Sequence, residues 1–233
     1  MLRLITDFDG PIMDVSERYY RVYQFCLQNI RYPQQSVREL SRSEFWQLKR
    51  SRVPEKQIAL KSGLDDNQAQ EFAQLRRKTV HTDTYFQYDS LIPGAVDTLL
   101  KIQQAGIDLA VMTMRRVREL DYALEKYELG NFFPENRRYC LSNDYVKTSD
   151  VEDKPLLMER ALAELPPACD TWMVGDTEAD IAAAKKYGIK VIAVESGIRD
   201  RTQLEIYQPD VIVEDLRTAV KLILESRLAE IGS

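Results

Sequence analysis

Two carboxylates stand one residue apart near the start of the chain, in the stretch DFDG at residues 7–10. They follow a mostly apolar run, LRLI at residues 2–5, which is typical of a buried strand. A strand that ends in two acids presents both of them where the chain leaves the sheet, in reach of a ligand. Carboxylates in that place can bind a hard metal ion, transfer a proton or attack phosphorus.

Other polar residues occupy comparable places further along the chain. Thr113 ends the predicted strand IDLAVMT, and Asp176 ends the predicted strand TWMVGD with Asp180 four residues later. Lys154 begins the helix predicted before the strand of Asp176. A single acid at a strand end is often ordinary turn or helix-cap chemistry. Because three strand ends carry such groups and parallel strands end at one edge, the pattern predicts a common site.

The chemistry of that site follows from its ligand types. Several carboxylates in one place repel each other unless a cation lies among them. Oxygen ligands without His or Cys indicate a hard ion, and Mg²⁺ commonly bridges to a substrate phosphate. Thr113 and Lys154 then suit phosphate binding, with backbone N–H groups in the turns at Gly10 and Met114 as further donors. This combination predicts phosphoryl transfer, in which a carboxylate can serve as the nucleophile.

The elements that must position these residues fall into two kinds. From about residue 89 strands alternate with helices, which predicts an α/β domain whose parallel sheet is covered on both faces. Residues 15–88 show helical periodicity and a capping-box pattern, SVRE, at residues 36–39. We therefore predict a doubly wound parallel-sheet core, residues 1–14 and 89–233, with an inserted all-helical cap at residues 15–88.

Composition excludes several classes of function. With 233 residues, a net charge of −5 and no dense Lys/Arg block, the chain is not expected to bind nucleic acid. It has no apolar run long enough for a membrane span and no leader-like start, so we expect a cytoplasmic protein without membrane contact. Cys26, Cys140 and Cys169 are too far apart for a metal motif and are expected to be free thiols. The single histidine, His81, excludes a multi-His zinc site.

Four motifs, in the order DFDG, Thr113, Lys154 and GDTEAD (residues 175–180), resemble those of the haloacid dehalogenase (HAD) superfamily. Residues 93–113 are also similar to the segment before the second motif in phosphoglycolate phosphatase-like members. The helical insertion lies where this superfamily carries its C1-type cap. The resemblance implies a Rossmann-like core and a Mg²⁺-dependent phosphatase, which hydrolyses a small phosphomonoester through an aspartyl-phosphate intermediate.

The resemblance also implies catalytic and metal-binding roles. Asp7 is the expected nucleophile. Asp9 is the expected general acid and base, which first protonates the leaving oxygen and then activates water. That role favours a carboxyl whose pKa is raised by its surroundings. Asp7, the backbone carbonyl of Asp9, and Asp176 are the expected Mg²⁺ ligands.

The remaining motif residues are expected to hold the phosphate and its partners. Thr113 and Lys154 are the implied phosphate binders, and Lys154 also restrains the charge of Asp7. Asp180 is expected to orient Lys154 or a metal-bound water from behind. Gly10 suits a turn where the backbone approaches the ligand closely.

Two positions depart from the family pattern. Pro11 stands where Thr is usual after the first motif, and it removes a backbone N–H. Met114 stands where Asn is common after Thr113, so a side-chain donor is missing. Arg115 or Arg116 is an alternative donor, although both also fit a solvated helix start.

Other functions stay open at this stage. The second acid, Asp9, disfavours a dehalogenase. A phosphomutase acting on a sugar phosphate would use the same core, and a non-catalytic binding protein could retain the fold, although both motif-one acids are present. The cap is expected to select the substrate, a small phosphorylated metabolite, and the oligomeric state is not readable. Candidates for the inner surface of the cap are Arg18, Tyr19, Tyr20, Arg21, Phe45, Trp46 and Lys49.

Overall fold

The structure is a computed structural model that describes residues 1–231. Its strands are β1 (Leu2–Thr6), β2 (Met13–Asp14), β3 (Ser90–Leu91), β4 (Asp108–Arg116), β5 (Arg138–Leu141), β6 (Asp170–Gly175), β7 (Lys190–Val194) and β8 (Val211–Val213). Its α-helices are α1 (Ser16–Ile30), α2 (Arg42–Arg50), α3 (Glu55–Lys61), α4 (Asp66–Thr79), α5 (Asp83–Phe86), α6 (Ala95–Gln104), α7 (Val117–Lys126), α8 (Asp150–Glu164), α9 (Glu178–Lys186), α10 (Arg201–Glu205) and α11 (Leu216–Ile231).

Six strands form one parallel sheet in the order β5-β4-β1-β6-β7-β8. The chain builds one side of the sheet outward from β1 and then returns to build the other side from β6. The carboxyl ends of β1, β4 and β6 are therefore neighbours at the point where the strand order reverses, which is where open α/β sheets bind their ligands.

Both faces of the sheet are covered by helices. Alternate strand residues point to opposite faces, so Leu4 and Val111 belong to one hydrophobic core with α6, α7 and α11. Ile5 and Ala110 belong to a second core with α8 and α9. Burial on both faces explains why these strands read as nearly continuous apolar runs. The doubly wound α/β fold predicted from the sequence is confirmed.

Helices α1 to α5 lie between β2 and β3 and have a hydrophobic core of their own. In this core Tyr23 stacks on Phe45 with ring centroids 4.8 Å apart, and its hydroxyl accepts a hydrogen bond from the Leu40 amide. The short strands β2 and β3 pair antiparallel, which holds the entry and the exit of this helical segment side by side. The boundaries of the cap at residues 15 and 88 stay a prediction.

The ends of individual helices and strands were predicted less accurately than the overall order of strands and helices. No helix follows Ser36, because the capping box that operates is five residues later, where Ser41 and Glu44 cap α2. Strand β4 continues three residues past its predicted end at Thr113. Helix α8 begins at Asp150, so Lys154 lies inside its second turn and does not start it. None of the helices described within residues 1–231 has the length and apolar character needed to cross a membrane.

Helix α6 allows a direct test of this packing. Leu99 is fully buried against the sheet, whereas its neighbour Leu100 is 40% exposed. We expect Leu99→Ala to lower the free energy of unfolding by about 2–5 kcal/mol, because it leaves a cavity in the core. The matched variant Leu100→Ala should change it by less than about 0.5 kcal/mol. Denaturant titration of both variants measures the difference, and equal losses would contradict this packing.

Candidate active site

A cavity of about 230 Å³ lies between the carboxyl edge of the sheet and the helical segment. Six of the residues predicted for the site line it: Asp7, Asp9, Thr113, Met114, Lys154 and Asp176. The other two, Gly10 and Asp180, contact lining residues without bordering the cavity. The structure therefore brings the predicted residues together, although they come from four separate stretches of the chain.

Lys154 lies at the centre of the acidic residues. Its ammonium nitrogen is 2.5 Å from Asp7 Oδ2 and 2.5 Å from Asp180 Oδ1, and the side chain is buried. Burial opposes the positive charge, but the two carboxylates outweigh it and raise the pKa of Lys154. Oδ2 of Asp180 accepts hydrogen bonds from the amide and hydroxyl of Thr177. Because both of its oxygens are engaged, Asp180 orients Lys154 toward Asp7.

Asp176 occupies a recess formed by two glycines. Its Oδ2 accepts a 2.6 Å hydrogen bond from the Ile198 amide. A Cβ on Gly10 would lie 2.4 Å from the Asp176 side chain, and one on Gly197 would lie 1.9 Å from it. Gly10 also has a φ of +92°, and its amide donates to the Met13 carbonyl. The contribution of Gly10 in this structure is thus the turn and the space for Asp176.

The acidic residues suit a hard divalent cation. One carboxylate oxygen each from Asp7, Asp176 and Asp180 lie within 4.8 Å of one another, and all three residues are buried. Burial, with repulsion from the neighbouring acids, raises the pKa of Asp7 and raises that of Asp176 to about 7. A divalent cation among oxygen ligands would relieve this repulsion, which makes Asp7 and Asp176 the residues best placed to hold one.

Asp9 has a different environment from the other acids. Arg115 Nε donates to its Oδ1 at 2.8 Å, and Arg18 Nη2 lies 3.3 Å from its Oδ2. Burial would raise the pKa of Asp9, but the two guanidinium groups outweigh it and lower the pKa. The expectation of a raised pKa was therefore wrong, because the sequence alone did not reveal that two arginines converge on this carboxyl.

The part of the cavity lining that comes from α2 and α4 is cationic, and we call it the cationic wall. Lys49 and Arg76 border it and share one carboxylate, that of Glu55. Both cations lie against the ring of Tyr19, with the guanidinium carbon of Arg76 4.6 Å from its centroid. Burial and the nearby Arg76 charge lower the pKa of Lys49 to about 8. This wall therefore carries more positive than negative charge.

Three further basic residues border the cavity: Lys147, Arg199 and the half-exposed His81. Arg199 is held by two hydrogen bonds to Glu178, and Lys147 pairs with Asp150. Sequence reasoning did not find this group, because isolated basic residues on helices and loops carry no motif. Their common position depends on how the helical segment sits over the sheet.

Of the seven cap residues predicted to face the substrate, Tyr19 and Lys49 border the cavity. Phe45 is a core residue instead, and Trp46 packs edge-on against Tyr19 at 6.0 Å. Arg18 is fully buried behind Asp9. Tyr20 and Arg21 are not among the residues that line the cavity.

The two arginines after Thr113 have separate partners. Arg115 pairs with Asp9 and with Asp89, a buried residue that no sequence signal indicated. Arg116 donates to the carbonyls of Ser142 and Asn143. Met114 lines the cavity with its apolar side chain.

Comparison with known proteins gives consistent results. Residues 4–194 match the family described as haloacid dehalogenase-like hydrolase. A phosphoglycolate phosphatase of Pseudomonas fluorescens is 26% identical over 163 residues, which cover 70% of this chain and 57% of that protein. One of Pseudomonas putida is 25% identical over 162 residues, covering 68% and 58%. The chain thus matches somewhat over half the length of these curated relatives.

Solved structures share the fold over almost the whole chain. A structure described as a predicted phosphatase from Clostridium acetobutylicum aligns with a TM-score of 0.69 and 21% identity, over 96% of this chain and 98% of that one. A haloacid dehalogenase-like family hydrolase from Streptococcus pneumoniae aligns with a TM-score of 0.66 and 19% identity, over 96% and 98%. At this identity the likeness establishes the fold alone.

Proposed function

Because the chain belongs to the haloacid dehalogenase-like hydrolase family, we propose that it is a Mg²⁺-dependent phosphatase acting on a small phosphomonoester. The observation that carries the proposal is the position of Lys154, which links Asp7 to Asp180 at the floor of a cavity that Asp9, Thr113 and Asp176 also border. The names of the curated relatives, phosphoglycolate phosphatases, support the same reaction class.

In the proposed reaction Asp7 attacks phosphorus and the ester P–O bond breaks. The leaving oxygen takes a proton from Asp9 as it departs. Because the arginines lower the pKa of Asp9 in the free protein, Asp9 takes up that proton when the anionic substrate binds beside it. A water then attacks the phosphorus of the aspartyl phosphate and gives a proton to Asp9, and the bond to Asp7 breaks to release inorganic phosphate. Thr113 and Lys154 hold the phosphoryl oxygens. Mg²⁺ held by Asp7, the Asp9 carbonyl and Asp176 would neutralise phosphate charge.

The cationic wall indicates what the rest of the substrate carries. Arg76 Nε and Nη2 are buried, and neither makes a well-directed hydrogen bond among the described residues. Among the described residues, Glu55 is the acid that pairs with both Arg76 and Lys49. A buried guanidinium with unused donors favours an anion. We therefore propose a short substrate with a second anionic group, a carboxylate or a second phosphate, at the end away from the scissile phosphate.

A phosphomutase is the second candidate, because a sugar bisphosphate also carries an anion at each end. Hydrolysis releases inorganic phosphate, whereas a mutase returns the phosphate to the sugar and needs a bisphosphate activator. Product analysis with and without such an activator distinguishes the two. Phosphoglycolate, with a phosphate and a carboxylate, is the first substrate to test because the curated relatives carry its name.

Replacement of the nucleophile tests the reaction itself. We expect wild-type protein with Mg²⁺ to release inorganic phosphate from phosphoglycolate or another small phosphoester, and chelation of Mg²⁺ to abolish the release. Asp7→Asn should lower turnover at least about 10³-fold, because the amide is a poor nucleophile. The exposed acid Asp121 provides the control, and Asp121→Asn should retain activity. Equal activity of Asp7→Asn and wild type would contradict the proposal.

Because Asp176 fills a recess lined by glycine, we expect one added methyl group in that recess to lower the affinity for the metal. Gly197→Ala places a Cβ inside the space of the Asp176 carboxylate. We expect Mg²⁺ affinity to fall by about 10- to 100-fold, as when other groups that orient a metal ligand are changed. In Gly130→Ala the new Cβ meets only the tip of Arg138 at 4.0 Å, and affinity should not change. Calorimetric titration measures the Mg²⁺ affinity of both variants. An unchanged Mg²⁺ affinity in Gly197→Ala would exclude Asp176 as a ligand.

Replacement of Lys49 tests the second anion site. Lys49→Met should raise KM for phosphoglycolate about 10-fold and leave KM for p-nitrophenyl phosphate unchanged, because only the former has a distal anion. Lys56→Met, at an exposed position on α3, is the control and should leave both KM values unchanged. Because the pKa of Lys49 is lowered to about 8, its ammonium loses a proton as pH rises through that value, and wild-type KM for phosphoglycolate should rise there. Lys49→Arg should remove that rise, and a rise that persists would assign it to another group.

A further inference from the structure

Behind Asp9 lies a ring of four charged side chains. Arg115 contacts both Asp9 and Asp89, with Nη2 2.7 Å from Asp9 Oδ1 and 2.5 Å from Asp89 Oδ2. Arg18 also spans the two acids, with Nη2 3.3 Å from Asp9 Oδ2 and Nε 2.8 Å from Asp89 Oδ1. Two cations thus alternate with two anions, so the ring has no net charge although it is almost entirely enclosed.

The ring connects the sheet to the entry and the exit of the helical segment. Asp9 follows β1 and Arg115 belongs to β4, so both come from the sheet. Arg18 is in the first turn of α1, where the chain enters the helical segment, and Asp89 is where it leaves. Arg18, Arg115 and Asp89 are each at most 3% exposed. The Phe86 ring lies against both guanidinium groups, at 4.9 and 5.6 Å from its centroid, and restricts their movement.

Asp9 is held unequally at its two oxygens. Oδ1 receives two contacts from Arg115, at 2.8 Å from Nε and 2.7 Å from Nη2. Within the part of the chain that the structure describes, Oδ2 has one contact, the longer one of 3.3 Å with Arg18. Asp9 is also the member of the ring that solvent reaches, because 27% of its side chain is exposed at the cavity. One oxygen is therefore an anchor, and the other remains available for proton exchange.

Arg115 borders the cavity, but each of its nitrogens already has a partner among the described residues, which leaves one Nη1 N–H without an acceptor. Its Nε is bonded to Asp9, its Nη2 lies between Asp9 and Asp89, and its Nη1 lies 3.4 Å from the Glu119 carbonyl. A phosphate-binding arginine would direct at least one pair of donors into the cavity. Arg115 instead directs its donors to the carboxylates of Asp9 and Asp89.

We propose that Arg115, fixed by Asp89 and assisted by Arg18, is a positioning residue that anchors Oδ1 of Asp9 and presents Oδ2 to the oxygen of the leaving group. The proposal rests on the proposed function, because it assigns an orienting partner to the general acid of that reaction. Correct placement of a catalytic group within a fraction of an ångström contributes strongly to rate. The ring supplies that placement from groups on both sides of the cavity.

If Arg115 positions Asp9, its loss affects the rate in a way that the loss of a purely structural residue does not. Loss of Oδ2 placement slows proton delivery, which matters most when the departing alkoxide is a strong base. A phenolate with electron-withdrawing substituents departs without a proton. A defect in Asp9 positioning should therefore lower kcat/KM for alkyl phosphates much more than for p-nitrophenyl phosphate. A general loss of folded or loaded enzyme would lower both by the same factor.

The test compares Arg115→Lys and Asp89→Asn with wild-type protein in saturating Mg²⁺, over a series of phosphoesters with leaving groups of increasing pKa. Arg115→Lys keeps the charge, but a single ammonium cannot reproduce the paired contacts that Nε and Nη2 of the planar guanidinium make with Asp9 Oδ1. We expect kcat/KM for alkyl phosphates to fall about 10- to 100-fold and that for p-nitrophenyl phosphate less than about 3-fold. Asp89→Asn should also lower kcat/KM for alkyl phosphates more than that for p-nitrophenyl phosphate, by a smaller factor than Arg115→Lys does. The inhibition constant of inorganic phosphate should stay within about 3-fold of the wild-type value, since phosphate binding is untouched.

Arg118→Met provides the control, because Arg118 is an exposed arginine three residues along the chain, and it should behave as wild type. A uniform loss across the series, or a weakened phosphate inhibition constant, would overturn the positioning role while leaving the phosphatase function intact. Failure of both variants to fold would assign the ring to stability and would also overturn it. A wild-type protein that turns over no phosphoester would refute the proposed function itself.

Discussion

The burial of several carboxylates at one edge of the sheet is the constraint on which the rest of this structure depends. Asp7, Asp176 and Asp180 are each at most 6% exposed, and their charges repel across a few ångströms. An isolated charge in such a place would be strongly unfavourable, so every acid requires a cationic or hydrogen-bonding partner. Lys154 reaches Asp7 and Asp180 from α8, which partly balances the charge and leaves the site suited to a divalent cation.

The same requirement shapes the chain around Asp9, but there the balance comes from arginine. Arg115 and Arg18 neutralise Asp9 and Asp89 in a compact ring without involving Lys154. The site therefore divides into two electrostatic halves. In one, burial and repulsion raise the pKa of Asp7 and Asp176, and in the other the guanidinium groups lower that of Asp9. Carboxyl groups of one intrinsic type thus acquire different chemical characters through their neighbours.

The helical segment is joined to the sheet domain on two sides of the cavity. At its base the β2–β3 pair holds the two crossings together. At the far side the end of α2 contacts the loop after β7, where Arg50 donates to the Glu195 carbonyl and the Ser51 hydroxyl to Asp200 Oδ2. Lys49 immediately precedes Arg50 on α2, so these contacts also hold Lys49 at the border of the cavity.

The sequence by itself determined the fold class and the residues at the strand ends, because both depend on local patterns. Alternating strands and helices predict a parallel sheet. Asp7 and Asp176 each follow a strand, Thr113 lies near the carboxyl end of one, and these ends must lie at one edge. The family match over residues 4–194 agrees with that prediction. The helix start predicted at Ser36 was wrong. Several stretches of the sequence have a capping pattern, and tertiary packing selects among them.

Only the tertiary structure decided which charged residues outside the motifs meet the site. Arg76 and Asp89 lie far from the motifs in sequence, and no spacing rule connects them with Asp9 or with the cavity. Their positions follow from how α4 and the exit of the helical segment pack over the sheet. The low pKa of Asp9 is decided in the same way, since electrostatic effects depend on distance in space and on burial. A sequence motif names the reacting groups, but the packed fold sets their charge.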